Sequence, residues 1–512
     1  MSFENVLLGL STALSITNLW YCFFGVSVGM LTGIVPGFSA LTAISMLFPL
    51  TFYLSPTTAL IMLGGIWYGA GYGGRITAIL LNIPGEPLHA VMCQDGYPMA
   101  RQGRAGIALL MTTTSAFIGG SIGISLLMLF GPVVAEFALR FGAAEYFSVM
   151  VFGLVVASTI SEGSVLKALS MVVFGAMLGC VGVNIYTGAP RFTFGIEDMT
   201  KSLDLVALAM GIYGVTEVIE SIREVNTNKF DLRGVKVSAA VPTRDDLRRS
   251  WLPSLRGSAI GAFFGTLPGA GTLVAAFLSY AVEKRVAREP QRFGKGAIEG
   301  IVAPEAAGNA AEMTGFIPTL TLGIPSTPSM VLMAGALIIQ GITPGPALMH
   351  DHPELFWGTI MSFWIGNVML VIMNVPLISI WVRMLQIPYH YLFPSILVFI
   401  CAGTYVVGFS QFDIWMIVFF GLLGLLMRMG SYPAAPMLLG FVLGPSMEDY
   451  LRRAMLLVDG DFLAIVQRPI AGTFLALTAL LVPVMVWSVL REKRLVREAE
   501  AAAQAPAATQ QT

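Results

Sequence analysis

Charge is what this 512-residue sequence has least of. Asp, Glu, Lys and Arg together make 12 % of it, against roughly 25 % in a soluble globular domain. With 56 % hydrophobic residues and a mean hydropathy of +0.77, there is too little polar surface to cover a water-soluble globule. The chain reads as a polytopic, all-α integral membrane protein. The net charge of −1 hides a segregation, because the basic residues cluster in a few connecting loops and in the tail from Arg491 to Arg497. That pattern is topological and offers no nucleic-acid surface.

Other scarcities exclude whole classes of chemistry. Cys22, Cys93, Cys180 and Cys401 are scattered through apolar stretches, without a C-x-x-C pair or a disulfide framework, and read as packing residues. His350-Asp351-His352 has no further ligand nearby and reads as a solvated loop, so no structural metal is expected. Gly25-Val-Ser-Val-Gly29 matches a nucleophile-elbow pattern but lies in an apolar helical stretch, not at a strand-turn-helix corner. Gly69, Gly71 and Gly74 satisfy G-x-G-x-x-G outside any βαβ unit, and Gly294-Lys295-Gly296 lacks the rest of a P-loop. No enzyme is expected, no cofactor, and no ATP site. Glu4, in place of Lys or Arg, precedes the first apolar run and no clean cleavage site follows, so a removable signal peptide is not expected.

What is abundant is glycine, and its spacing repeats. Gly25, Gly29, Gly33, Pro36 and Gly37 recur as Gly257, Gly261, Gly265, Pro268 and Gly269, each shifted by 232. A second marker, IPGEP at Ile83 to Pro87, recurs as IPSTP at Ile324 to Pro328 with a shift of 241. Gly74 and Ile76 meet Gly315 and Ile317 at that same shift, and the difference of nine fits the longer basic loop at 283–295.

At about 20 apolar residues per span, candidates in the first half are 57–83, 105–131, 146–160, 165–185 and 203–222. The second half offers 313–340, 355–382, 391–409, 411–429, 432–446 and 469–490. With the opening segments of each half, about 11–12 transmembrane segments are expected. The implied boundaries are a first membrane repeat at 1–222 and a cytoplasmic linker at 223–256. A second repeat at 257–468, a terminal transmembrane helix at 469–490 and a cytoplasmic disordered tail at 491–512 complete the chain.

The apolar run from Trp251 to Val282 is too long for one span and too short for two. A re-entrant hairpin with Pro268-Gly269 at its tip fits that length, since proline interrupts a helix and glycine permits the reversal. Both flanks are basic: the preceding linker has eight Lys and Arg, and the following loop has Lys284, Arg285, Arg288, Arg292 and Lys295. The matching first-half loop, 51–58, is uncharged. Further on the contrast reverses, with Arg101 and Arg104 in the first half and no Lys or Arg at 341–354. Equivalent loops with opposite preferences predict two inverted repeats with broken or re-entrant Gly/Pro helices. Arg191, Lys201, Arg452 and Arg453 fall on the outside in this scheme, against the general pattern.

Ionisable groups within apolar runs mark a substrate or ion path or, failing that, snorkel to an interface. Arg75 is one, and Glu305, Asn309 and Glu312 lie at helical spacing in PEAAGNAAEM. Around the breaks the residues are small and hydroxylic. Broken helices offer free N–H groups to anions and free carbonyls to cations, so a small anionic solute with a coupling cation fits them. The candidate site residues are Gly33, Pro36, Gly37, Ser39, Asn82, Pro84 and Gly85 in the first repeat. Gly265, Pro268, Gly269, Thr272, Asn309, Pro325, Ser326 and Thr327 are those of the second, with Arg75 as a candidate carboxylate partner.

GMLTGIVPGFSALTA and YGAGYGGRITAILLNIPGEP, then GAFFGTLPGAGTLVA, PEAAGNAAE and LTLGIPSTPSMVLMAGALIIQGITPGP, resemble the large membrane subunit of tripartite tricarboxylate transporters, the TctA type. The resemblance extends from Gly25 to Arg468. It implies a multi-pass permease of the bacterial inner membrane that works with a small TctB-type membrane subunit and a periplasmic TctC-type solute-binding protein. It further implies import of a citrate-like di- or tricarboxylate driven by a Na+ or H+ gradient, and kinship with ion-coupled transporters that move a substrate domain against a scaffold. The alternative reading of the same breaks is a passive channel for small anions.

Overall fold

The computed structural model describes residues 3–35, 38–161, 164–184, 186–225, 242–267, 271–384, 394, 397, 398, 400–402, 404, 405, 410–481, 483 and 485. Among them, strand is limited to a two-stranded antiparallel ribbon pairing Gly182–Val183 with Pro190–Arg191. All other regular structure is helical. The first helices are α1 (Phe3–Ala13), α2 (Ile16–Ile34), α3 (Ala40–Leu47), α4 (Pro56–Leu81), α5 (Ala90–Met99), α6 (Ala105–Ala138), α7 (Ala143–Ile160) and α8 (Val165–Gly179). There follow α9 (Leu205–Ala209), α10 (Thr216–Val225), α11 (Arg244–Gly265), α12 (Gly271–Val286), α13 (Glu299–Thr314), α14 (Phe316–Thr321) and α15 (Pro328–Ile339). The last are α16 (Leu348–Asp351), α17 (Pro353–Met384), α18 (Gln411–Met429), α19 (Ala434–Leu457) and α20 (Phe462–Val466).

Hydroxyl side chains set where many of these helices begin. Ser15, Ser39 and Ser55 accept the amides of Asn18, Thr42 and Thr58, and Thr327 accepts that of Met330. At α11 the cap is reciprocal: Thr243 Oγ1 accepts the Asp246 amide and the Asp246 carboxylate accepts the Thr243 amide. Among the described residues three helical stretches, Pro87–Ala138, Pro353–Asn374 and Gln411–Met429, are long and apolar enough to cross a membrane by length and composition. A fourth is reached if α1 and α2, bent by 70° at their junction, form one span. Shorter apolar helices, such as Val165–Gly179 and Pro328–Ile339, account for further apolar runs. The expected span at 411–429 coincides with α18, and that at 57–83 with α4. The 313–340 run is not one helix, because the chain divides at Gly315 and again between Thr321 and Pro328. Pro36, Gly37, Pro268 and Gly269, most of the 391–409 run, the linker from 226 to 241 and the tail from 491 lie outside the described residues.

The chain forms two compact units. One comprises Met1–Arg140 and Cys180–Gly430, the other Phe141–Gly179 and Ser431–Thr512. In the smaller unit α7 and α8 pack on α19. Tyr146 stacks on Tyr450 at 4.9 Å between centroids, and Ala144, Ala454, Ile465 and Ala471 form a buried cluster beside it.

The larger unit is organised by two close helix pairs, α2 with α4 and α11 with α13. A Cβ on Gly25, Gly29 or Gly33 would collide with the carbonyl of Met62, Ile66 or Ala70, and one on Gly257, Gly261 or Gly265 with that of Ala303, Ala307 or Ala311. The glycines on α2 and α11 differ by 232 and their acceptor residues by 241, the two shifts read from the repeats. Glycine is required at all six positions because backbone lies against backbone.

Helices α11 and α12 run antiparallel. Arg256 makes a two-pronged contact with Glu283 at 2.6 and 2.7 Å, and further along Phe264 and Ile260 pack with Ala275. Helix α6 lies along α13, and α17 along α4. If side-chain-free contact holds these pairs, Gly261→Val will force α11 from α13 at a cost of about 1–3 kcal/mol. The detergent-purified variant should melt lower than wild type, whereas Phe263→Ala, at a residue 66 % exposed, should not.

Candidate functional site

The second sequence marker corresponds to a recurring interruption of the backbone. Helix α4 ends at Leu81 and Asn82 takes a left-handed conformation, φ 60°, while the Ile83 amide reaches back to Thr77 O at 3.4 Å. In the second copy Gly323 is left-handed at φ 69°, and the Ile324 amide reaches Pro318 O at 3.1 Å. Asn is among the few side chains that tolerate this conformation. Each chain then restarts on a proline, Pro87 or Pro328, preceded by residues of matching geometry: Glu86 at φ −136°, ψ 159° and Thr327 at φ −136°, ψ 158°. Gly74 lies against Gly85 and His89, and Gly315 against Ser326 and Met330. Every pair is again related by 241.

A buried ionic cluster lies on α4, α6 and α13. Arg75, 1 % exposed, donates from Nη1 to Glu305 Oε1 at 2.5 Å and to Thr112 O at 3.3 Å, and from Nη2 to Thr113 Oγ1 at 3.2 Å. Its guanidinium lies 3.8 Å from the centre of the Tyr72 ring. Asn309 Nδ2 donates to the same Glu305 oxygen at 3.0 Å, and Glu305 Oε2 is buried without a hydrogen-bond partner among the described residues. Tyr68 and Tyr72 both donate to Asn367 Oδ1, at 2.8 and 3.2 Å, which ties α4 to α17. Asn367 Nδ2 in turn donates to Phe117 O and Ser121 Oγ of α6. The Glu86 amide donates to His89 Nδ1 at 3.2 Å, so that ring nitrogen carries no proton.

A second buried carboxylate is purely structural in its geometry. Asp95 Oδ1 accepts three amides, from Gly294, Gly296 and Ala297, at 2.9, 2.8 and 2.8 Å, and Oδ2 accepts the Tyr280 hydroxyl at 2.9 Å. It thereby clasps the loop after α12 to α5. At the N-terminal end of α11, Asp246 pairs with Arg104 at 2.5 Å. Burial opposes ionisation of Asp246, and the Thr243 amide and hydroxyl with Arg104 outweigh it, so its carboxyl is held below the usual range.

The sequence-derived candidates divide in this light. Gly33 and Gly265 serve the helix seams. Ser39 caps α3, Thr327 caps α15, and Ser326 Oγ donates to Gly315 O at 3.1 Å, so these hydroxyls are already engaged in shaping the helix ends. Asn82, Pro84 and Gly85 form the first interruption, with Asn82 and Pro84 exposed, and the buried Pro325 lies in the second. Thr272 stands half-buried in the first turn of α12. Arg75 and Asn309 converge on Glu305. The cluster also contains residues not chosen as candidates from sequence: Glu86, His89, Tyr68, Tyr72, Asn367, Glu305 and Glu312. Glu305 and Glu312 carried a signal, their helical spacing with Asn309, and Glu86 lies within the IPGEP marker; the rest are isolated polar residues in apolar runs. Among the described residues no group of three His, Cys, Asp or Glu is placed to hold a metal ion.

Comparison with known proteins gives one family. A sequence profile of the "Tripartite tricarboxylate transporter TctA family" matches residues 19–439. An "Uncharacterized 52.8 kDa protein in TAR-I ttuC' 3'region" of Agrobacterium vitis is 48 % identical over 492 residues, covering 96 % of this chain and 97 % of that relative. An "Uncharacterized protein in TAR-II ttuC' 3'region" of the same organism is 51 % identical over 235 residues, 46 % of this chain and 97 % of that relative. No solved structure matches.

Removing one partner of the buried pair leaves an uncompensated charge, at a cost of about 3–5 kcal/mol, whereas removing both need not. Arg75→Gln should therefore lower the melting midpoint of the purified protein more than the double change Arg75→Gln with Glu305→Gln. A double variant less stable than the single would refute the pairing as the source of the loss.

Proposed function

The chain belongs to the tripartite tricarboxylate transporter TctA family, a transporter family, and from that premise we propose that it is the large permease subunit of a binding-protein-dependent secondary transporter. In this reading it imports a small organic carboxylate, a citrate-like di- or tricarboxylate, across the bacterial inner membrane. A Na+ or H+ gradient drives it. A small TctB-type membrane subunit and a periplasmic TctC-type binding protein complete the system, as family membership implies.

The observation that carries this reading is the recurrence of one backbone interruption, Asn82 to Pro87 and Gly323 to Pro328, with matching dihedrals and neighbours. We read the two halves, 1–222 and 257–468, as inverted repeats whose broken helices face a common path, with 223–256 and 491–512 on the cytoplasmic side and 469–490 as a further span. The seams at two constant shifts support the repeat, and the opposite loop charges support its inversion. The antiparallel α11 and α12, with Arg256 and Glu283 at their charged end, support a re-entrant hairpin in the second repeat.

Chemically, the interruptions supply what a carboxylate needs. The N-terminus of α15 at Thr327 presents backbone N–H groups and the positive end of a helix dipole to an anion. Arg75 is already neutralised by Glu305, so its assigned role is to hold α4 to α13 beside the path while the amides meet the solute. Alternating access then exposes the path to one side and then the other.

The reading is tested in proteoliposomes containing both membrane subunits, with the binding protein outside and a panel of radiolabelled citrate and other di- and tricarboxylates. Saturable uptake of one or more of these is expected, requiring the binding protein and an imposed Na+ or pH gradient. Uptake that persists without either gradient, or conductance of many ions per opening, would assign the protein to passive channels. Gly85→Val, which drives a side chain into Gly74, should reduce that uptake at least about tenfold by displacing the 82–87 segment.

A further inference from the structure

Three carboxylates gather around the single cation of the buried cluster, and their surroundings differ. Glu305 is paired with Arg75 and receives the Asn309 amide. The Glu86 carboxylate meets the backbone N–H of Ala40 at the start of α3. Glu312 is only 5 % exposed and has neither a cationic partner nor a hydrogen-bond donor among the described residues. Its two oxygens face α4 at Gly71, 3.7 and 4.0 Å from where a side-chain Cβ would stand.

The titratable and charged groups that act on Glu312 are few. From α4 come Arg75 and the Tyr68 hydroxyl, from the 82–87 interruption Glu86, and from α13 itself Glu305. Helix α6 brings Thr112 and Thr113 to the cluster, and the nearest charges of α11 and α12, Arg256 and Glu283, pair with one another. One arginine thus stands among three carboxylates. A buried negative charge without a partner is strongly disfavoured, so the state with Glu312 buried needs a further positive charge on it.

The surrounding backbone argues for a proton over a metal cation. A hard cation takes a cage of oxygen ligands. Beside Glu312, α4 runs unbroken through Gly71, and α13 stays hydrogen-bonded to its end, where the Gly315 amide reaches Ala311 O at 2.9 Å. Few carbonyls are free there, and a proton needs one oxygen only.

We infer that Glu312 carries the coupling proton of this transporter. An O–H bond forms on its carboxylate with a proton from the outer water, which lets the side chain sit in its niche against Gly71. When the site opens inward and the solute leaves, the O–H bond breaks to the inner water; the empty site returns outward with the carboxylate ionised and hydrated and is reprotonated only from the outer water, so one proton moves inward with each solute. This rests on the transport reading above and adds the identity of the ion and its carrier.

Glu312→Gln mimics the protonated state permanently. With the carboxylate identified in the uptake panel, this variant should exchange labelled for unlabelled solute across proteoliposomes within about twofold of wild type. Its accumulation under an imposed pH gradient should fall to the equilibrium level. Infrared difference spectra of the purified full chain between acid and alkaline pH should lose one protonated-carboxyl C=O band relative to wild type, a band that Glu86→Gln retains. Undiminished accumulation by Glu312→Gln, an unchanged spectrum, or wild-type uptake that follows Na+ and ignores pH would each overturn the inference while leaving the transporter reading standing. Absence of any wild-type uptake would instead remove the transporter reading itself. If Glu312→Gln does not fold, Glu312→Asp decides: a shifted midpoint in the pH profile of uptake is expected, and an unmoved one is a refutation.

Discussion

The larger unit depends on backbone lying directly against backbone. Where α2 crosses α4 and α11 crosses α13, three successive glycines at a spacing of four bring one backbone against the carbonyls of the other. Between apolar helices in an apolar solvent no hydrophobic gain drives association, so close van der Waals contact has to do so. The seams also align the segments beyond them. With α4 and α13 pressed against their partners, the stretches after Leu81 and Thr321 leave the helical path at fixed places, and the Arg75 and Glu305 side chains meet.

That meeting is the second constraint. Arg75 and Tyr72 on α4, Glu86 just after it, Glu305 and Glu312 on α13 and Asn367 on α17 come together from three distant parts of the chain, and the charged ones are costly to bury alone. Together they form a network in which one charge is well matched, one is met by a helix N-terminus and one is left over. In a structural core such an imbalance is a defect. In a membrane transporter it is a place where charge can be taken up and given back.

Much of this was legible in the sequence, for an identifiable reason. Glycine at Gly25, Gly29 and Gly33 and again at Gly257, Gly261 and Gly265 reports a close approach directly, because no other residue fits one. The two shifts, 232 and 241, were visible as spacing and reappear as pairs of touching residues. The hydroxyl candidates were found because they flank the glycine and proline breaks, but a cap and a ligand look alike in sequence: Ser39, Ser326 and Thr327 hydrogen-bond nearby backbone. Asp95 had no sequence signal at all. A lone acid between apolar residues acquires its role only when the Gly294 to Ala297 amides converge on it from across the fold.

By itself, then, the sequence determined the solvent, the helical class, the repeat and the positions where helices must touch or stop. These follow from composition and from the conformational limits of glycine and proline, which act locally. Only the tertiary structure decided which charges share one dry space. Whether Arg75 answers Glu305 or a solute, and whether Glu312 has any partner, depends on distances between helices some 230 residues apart in the chain, and Coulomb and desolvation energies are functions of those distances, not of sequence order.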